Sequence, residues 1–250
     1  MSLLCIVTGA SRGLGAALAR GLLARGAELL CLSRGLDATL QSDANAAGRR
    51  LEQWRVDLAD AQPVAARVEG WLEARGPAGL SGLLLINNAA VLETPGPFES
   101  QADADIVRAL RVGLEAPLLL SRAVLRASAH WPLDRRILNI SSGLGRRPLA
   151  GVATYCAIKA GLDHFSRTLA AEQAEATRPA RVCALAPGII DTGMQVQLRG
   201  ADPQAFAARQ VFEGFLSQGA LDTPEQAASK VIELLLSARF GADAVADVRE

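Results

Sequence analysis

Three side chains in the middle of the sequence have the types and spacing needed to move a proton onto a carbonyl oxygen. Ser142 closes the run Asn139-Ile140-Ser141-Ser142, Tyr155 follows thirteen residues later, and Lys159 lies four residues beyond it. Residues i and i+4 share a helix face, so the ammonium of Lys159 is expected beside the phenol of Tyr155. A neighbouring cation stabilises phenolate and lowers a tyrosine from its ordinary value of about 10, which predicts a phenol that exchanges its proton near neutral pH. In such a reduction hydride reaches carbon and charge develops on oxygen. Tyr155 then supplies the proton while Ser142 holds the same oxygen. Lys159 is also expected to reach the ribose hydroxyls of a nicotinamide. Tyr-x-x-x-Lys by itself is a common helix-surface pattern, so its weight depends on what surrounds it.

A hydride source is legible at the N-terminus. The first apolar run leads directly into Thr8-Gly9-Ala10-Ser11-Arg12-Gly13-Leu14-Gly15, and an Ala/Leu stretch of helical character follows. Gly9 allows the turn out of a strand, Gly13 lets backbone approach a pyrophosphate, and Gly15 allows close helix-to-strand packing. The helix N-terminus, with Ser11, Arg12 and Leu14 around it, offers N–H groups and positive dipole to phosphate. An enzyme using NAD places a carboxylate at the end of the second strand, and here that position reads Leu32-Ser33-Arg34. Arg34, Ser33 and Arg12 suit a 2′-phosphate instead, which predicts NADP(H). Asp57 and Leu58 are expected at the adenine and Asn88 where the cofactor crosses the sheet. Pro187, Gly188, Ile190 and Thr192 are expected beside the nicotinamide amide.

The elements that must position these groups alternate between short apolar runs and longer stretches of helical period. This rhythm predicts an α/β fold, a single-domain doubly wound parallel sheet of the Rossmann type over residues 1–250. Strands are expected at Leu3–Thr8, Ala27–Ser33, Leu51–Asp57, Gly82–Asn87, Arg136–Ser141, Arg181–Ala186 and Ala244–Val248. Helices are expected at Gly13–Arg25, Pro63–Arg75, Asp103–Ser128, Val152–Ala176 and Pro224–Arg239. The glycine-interrupted, apolar segment 188–221 reads either as a substrate lid or as a pair of packing helices.

Composition narrows the function classes. Lys plus Arg and Asp plus Glu are both 26, so no net field draws the chain to nucleic acid or an anionic membrane. No apolar run approaches the ~20 residues of a membrane span, and a strand begins at once, so a soluble cytoplasmic protein is expected. Cys5, Cys31, Cys156 and Cys183 form no CxxC pair and are expected as buried thiols. His130 and His164 lack partners that would make a metal site, and no metal is expected.

Together, and over nearly the whole chain, these motifs resemble the short-chain dehydrogenase/reductase family. The runs Leu85-Ile86-Asn87-Asn88-Ala89, Tyr155-Cys156-Ala157-Ile158-Lys159 and Ala186-Pro187-Gly188-Ile189-Ile190-Asp191-Thr192-Gly193-Met194-Gln195 are similar to its sepiapterin reductase and benzil reductase branch. That resemblance implies an NADPH-dependent carbonyl reductase acting on a vicinal dicarbonyl of an aromatic or pterin-like molecule, commonly as a homodimer; a homotetramer is the other assembly considered. It also implies an anchoring role for Asp247, and it leaves Ser142, Leu144, Tyr155, Gly188 and Met194 as substrate contacts. The family's usual asparagine in the helix before the fifth strand is replaced by Gly113, which puts its proton relay in question. A glycine inside a helix costs about 1 kcal/mol relative to alanine, so close approach of a neighbour is expected there. An NADP(H)-binding sensor or scaffold and a 3-oxoacyl thioester reductase are the competing readings.

Overall fold

The central strands are apolar on both sides, which requires cover on both faces. The computed structural model, which describes residues 1–249, meets that requirement with seven parallel strands. They are β1 (Ser2–Thr8), β2 (Glu28–Ser33), β3 (Leu51–Arg55), β4 (Leu80–Asn87), β5 (Asp134–Ile140), β6 (Arg181–Ala186) and β7 (Val245–Asp247). Their order is β3-β2-β1-β4-β5-β6-β7. The helices are α1 (Gly13–Ala24), α2 (Ala38–Ala46), α3 (Ala61–Arg75), α4 (Asp103–Leu110), α5 (Ala116–Ala127), α6 (Ala153–Ala174), α7 (Gly193–Arg199), α8 (Arg209–Ser217) and α9 (Pro224–Leu236). Every predicted strand is present, with ends displaced by at most two residues.

Successive side chains of a strand point to opposite faces, and the core divides accordingly. Cys5 and Val7 of β1 join Leu18, Leu22, Val231 and Ile232 on the face covered by α1 and α9. Leu4 and Ile6 join Val68, Leu72, Leu120 and Val124 on the face covered by α3 and α5. The strand order reverses at the boundary between β1 and β4. The carboxyl ends of both strands there open the crevice in which doubly wound sheets bind ligands.

Three local features depart from the sequence reading. Helix α2 was not predicted: it buries only Leu40 and Ala44, one turn apart, and is started by Asp37, whose carboxylate accepts the Leu40 N–H at 3.0 Å. Two apolar anchors give too short a periodic signal to stand out. Cys5, Cys31 and Cys183 are buried thiols, but Cys156 is only half-buried. The long helix predicted over Asp103–Ser128 carries one π-helical turn, Arg111–Glu115, between α4 and α5. Gly113 lies in that turn, and a Cβ added to it would sit 2.7 Å from Cγ2 of Ile158 on α6. The close approach expected from a helical glycine is therefore real, and the neighbour is the helix that carries Tyr155 and Lys159.

Segment 188–221 contains α7 and α8 and is closed at its base by paired backbone bonds. Asp191 N–H donates to the Asp222 carbonyl, and Asp222 N–H to that of Ile189, each at 2.9 Å. Its apolar residues form a third cluster of their own, Leu198, Ala201, Phe206 and Phe212 with Leu92 and Val152.

Helix propensity alone favours Gly113→Ala by about 1 kcal/mol. Overpacking against Ile158 opposes it by about 1–3 kcal/mol. Urea denaturation should show Gly113→Ala destabilised, and the double variant with Ile158→Ala should lose less than the two single losses added together.

Candidate active site

The loop after β1 has the geometry its glycines imply. Gly9 and Gly13 adopt φ of 67° and 55°, left-handed conformations that favour glycine. A Cβ on Gly15 would lie 2.2 Å from the Gly9 carbonyl oxygen, so only glycine permits α1 to start this close to β1. The loop is also tied to β4: Thr8 Oγ1 accepts the N–H groups of Asn88 and Ala89 at 2.9 and 3.0 Å, and the Asn88 amide donates to the Thr8 carbonyl at 2.9 Å. No side chain caps the first turn of α1, and no acid lies in it. Its N–H groups and positive dipole thus face the cavity without a protein acceptor, a donor set that fits the pyrophosphate of a dinucleotide.

Beyond the end of β2, Arg34 and, in the glycine loop, Arg12 are exposed, line the cavity, and have no ion-pair partner among the described residues. Ser33 Oγ donates to the Gly35 carbonyl at 2.7 Å, and Asp37 is held by Arg20 and the Leu40 N–H. No carboxylate lines the cavity beside Arg34. Asp57 lines it farther on, with one oxygen accepting the Ala59 N–H at 3.0 Å and the other 3.2 Å from Arg108. Arg108 was not singled out from the sequence, because nothing in its local pattern indicates that α4 passes over the end of β3.

Ser142, Tyr155 and Lys159 converge on the floor of this cavity, whose volume is about 1040 Å³. They are set by a polar ladder through the core. The Asn87 amide donates to Asn139 Oδ1 at 2.8 Å, the Asn139 amide donates to Ser166 Oγ at 2.8 Å, and Ser166 Oγ donates to the Leu162 carbonyl at 2.8 Å. This links β4 and β5 to α6. Lys159, buried, donates its ammonium proton to the Ile140 carbonyl at 2.7 Å, and its Nζ lies 5.5 Å from the centre of the Tyr155 ring. Ser141 Oγ donates to buried Asp163, which also lies 3.3 Å from Arg146.

The electrostatics correct one expectation. Tyr155 is pushed up to about 12, first by burial; the Ser142 hydroxyl works the other way, and Cys156 and Glu93 add to the rise. Burial likewise pushes Lys159 down to about 8, against the pull of Asp163. The pairing at i and i+4 is as predicted, but the ammonium is directed at Ile140, and desolvation of the phenolate is the largest influence on Tyr155. Burial thus favours the protonated phenol.

The family profile of short chain dehydrogenases matches residues 4–203. The protein is a short-chain dehydrogenase. It is 30% identical over 235 residues to benzil reductase ((S)-benzoin forming) of Bacillus cereus, covering 94% of each chain. It is 34% identical to sepiapterin reductase of Mus musculus, covering 97% of this chain and 95% of that one. A short-chain dehydrogenase/reductase structure from Burkholderia vietnamiensis is 37% identical, with a TM-score of 0.67 over 99% of this chain and 97% of that one. This short-chain dehydrogenase is thus an oxidoreductase of a family that uses nicotinamide cofactors.

Of the residues singled out from the sequence, Gly9, Ser11, Gly13, Leu14, Gly15, Leu58, Asn88, Leu144, Pro187, Gly188, Ile190, Thr192 and Met194 all line the same cavity. Asp247 does not: on β7 its carboxylate is turned to Arg249 at 2.6 Å and to Arg146 at 3.6 Å, and the hydrogen bond from Arg249 holds it below the ordinary carboxylate range. Arg249 lines the cavity in its place, together with Arg147 and Leu149, none of which the sequence reading assigned, and with Phe212 and Phe215 of segment 188–221. Among the described residues no group of His, Cys, Asp and Glu could hold a metal.

Tyr155 is the only tyrosine in this short-chain dehydrogenase, so phenolate absorbance reports on it alone. In the folded protein its titration midpoint should lie at about 12, and in urea it should return to about 10. Because the folded-state value is the higher, the associated stability is present below about pH 10 and is lost as pH rises toward the folded-state value.

Proposed function

We propose that the protein is an NADPH-dependent carbonyl reductase that acts on one ketone of a vicinal dicarbonyl carried by an aromatic or pterin-like molecule. The observation that carries this reading is a protonated Tyr155 beside Ser142 at the floor of a cavity walled by Leu144, Leu149, Met194, Phe212 and Phe215. NADPH, when bound, supplies the hydride. Ser142 and Tyr155 hydrogen-bond the reacting oxygen as charge develops there, and Tyr155 then releases its proton to it. Lys159, fixed by Ile140, stands behind the phenol as a cation that steadies the phenolate left after transfer. The apolar wall excludes water and accepts a flat ring.

The choice of NADPH rests on Arg34 and Arg12, unpaired cations where an enzyme using NAD would carry an acid. Likeness to a benzil reductase and a sepiapterin reductase supports the dicarbonyl class. Arg147, an exposed cation on the cavity wall, favours a second substrate reading, a 3-oxoacyl thioester with a phosphorylated carrier.

NADPH oxidation by the purified protein over benzil, a 1,2-dione, sepiapterin and acetoacetyl-CoA tests both readings. Turnover is expected on the diones and to fall by roughly 10³-fold or more in Tyr155→Phe, the upper range for loss of a general acid. Turnover confined to the thioester would overturn the dicarbonyl reading in favour of the second. Arg34→Asp should raise the KM for NADPH by roughly 10- to 100-fold, the loss of a charge-assisted phosphate contact, with little change for NADH. An equal effect on both cofactors would refute the phosphate assignment.

A further inference from the structure

We propose that Glu93 is a positioning residue of the reaction: from the loop after β4, its buried carboxylate caps the catalytic helix and disfavours loss of the Tyr155 proton. This rests on the reading of Tyr155 as proton donor.

Glu93 is 3% exposed, yet among the described residues no cation pairs with it. The other buried acids, Asp163 and Asp247, are each matched by arginine. One Glu93 oxygen accepts the backbone N–H of Tyr155 at 3.1 Å, and the other is buried with no partner. An uncompensated carboxylate is expensive to bury and calls for a local reason. The start of α6 supplies one. Tyr155 is the third residue of that helix, so its N–H has no partner within it, and Val152, at the N-cap position, has no side chain able to cap. Glu93 provides the missing acceptor from another part of the chain, where the positive end of a 22-residue helix favours a negative charge.

The same carboxylate is held 3.1 Å from the backbone nitrogen of the residue that bears the phenol, and a negative charge so placed opposes a second one on that ring. The titratable and polar groups that act on the phenol are Lys159 and Cys156 from α6, Ser142 from the turn after β5, and Glu93; the third apolar cluster, against which Tyr155 packs, bears no charge. Glu93 is thus the acid among them. Its backbone is also tied to α7, since the Gln197 amide donates to the carbonyls of Leu92 and Glu93 at 3.2 and 3.1 Å. One short loop therefore holds both the start of the catalytic helix and the helix that walls the cavity.

The single tyrosine makes the test direct. Glu93→Gln keeps an acceptor for the Tyr155 N–H but removes the charge, and phenolate absorbance should show a midpoint roughly one pH unit lower than in the parent protein. Glu93→Asp, which keeps the charge, should stay near the parent value. Should Glu93→Gln not fold, Glu93→Met, an apolar chain of similar length in a site without a cation, serves for the same titration. An unchanged or raised midpoint in a folded, uncharged variant overturns the proposal. The titration needs no substrate, so its failure is separate from a failure of the carbonyl panel. Where dione turnover is present, Glu93→Gln should move the alkaline limb of its pH profile in the same direction while the KM for NADPH stays within about twofold.

Discussion

Lys159 carries an ammonium in a place from which water is nearly excluded, and most of the site follows from what satisfies it. A buried charge without a partner costs several kcal/mol. Here the compensation is the Ile140 carbonyl at 2.7 Å, at the very end of β5. That bond presses α6 against the sheet at the level where Ser142 leaves it. The ladder from Asn87 through Asn139 to Ser166 repeats the attachment, its first link joining β4 to β5 and its second joining β5 to α6. Because the attachment points are backbone and core amides, the distance between Ser142, Tyr155 and Lys159 is a property of the fold rather than of flexible side chains.

Charge is distributed just as unevenly. The chain as a whole is neutral, but the cavity is lined by Arg12, Arg34, Arg108, Arg147, Lys159 and Arg249 against one acid, Asp57. A balanced total therefore hides a crevice that focuses positive potential, which suits an anionic cofactor and raises its local concentration. The acids that balance this are elsewhere, many of them in surface pairs such as Asp134 with Arg136 and Arg181.

Much of this was legible in the residues. Glycines at a strand-to-helix turn have few alternative explanations, and the apolar runs of a doubly covered sheet are strong signals, so the strands, the phosphate loop and the positions of Ser142, Tyr155 and Lys159 could be placed from spacing. What escaped depends on distance across the fold. The sign of the Tyr155 shift is set first by burial, which cannot be weighed along a sequence. Helix α2 hangs on two small apolar contacts, and the π turn around Gly113 answers to Ile158, 45 positions away in the chain. Asp247 is a carboxylate whose direction is decided by Arg249, two residues on, and by Arg146 in a distant loop.

The cavity wall has a separate core. Phe206, Phe212 and Phe215 pack on one another, with ring centres 5.9 Å apart in each successive pair, and their cluster shares no buried residue with those on the two faces of the sheet. The wall and the two faces of the sheet are therefore held by different buried residues, and the wall's cluster reaches the start of α6 through Val152. A ring exchanged at the wall would therefore leave both faces of the sheet packed as they are, while Tyr155, which packs against that cluster, would feel the change.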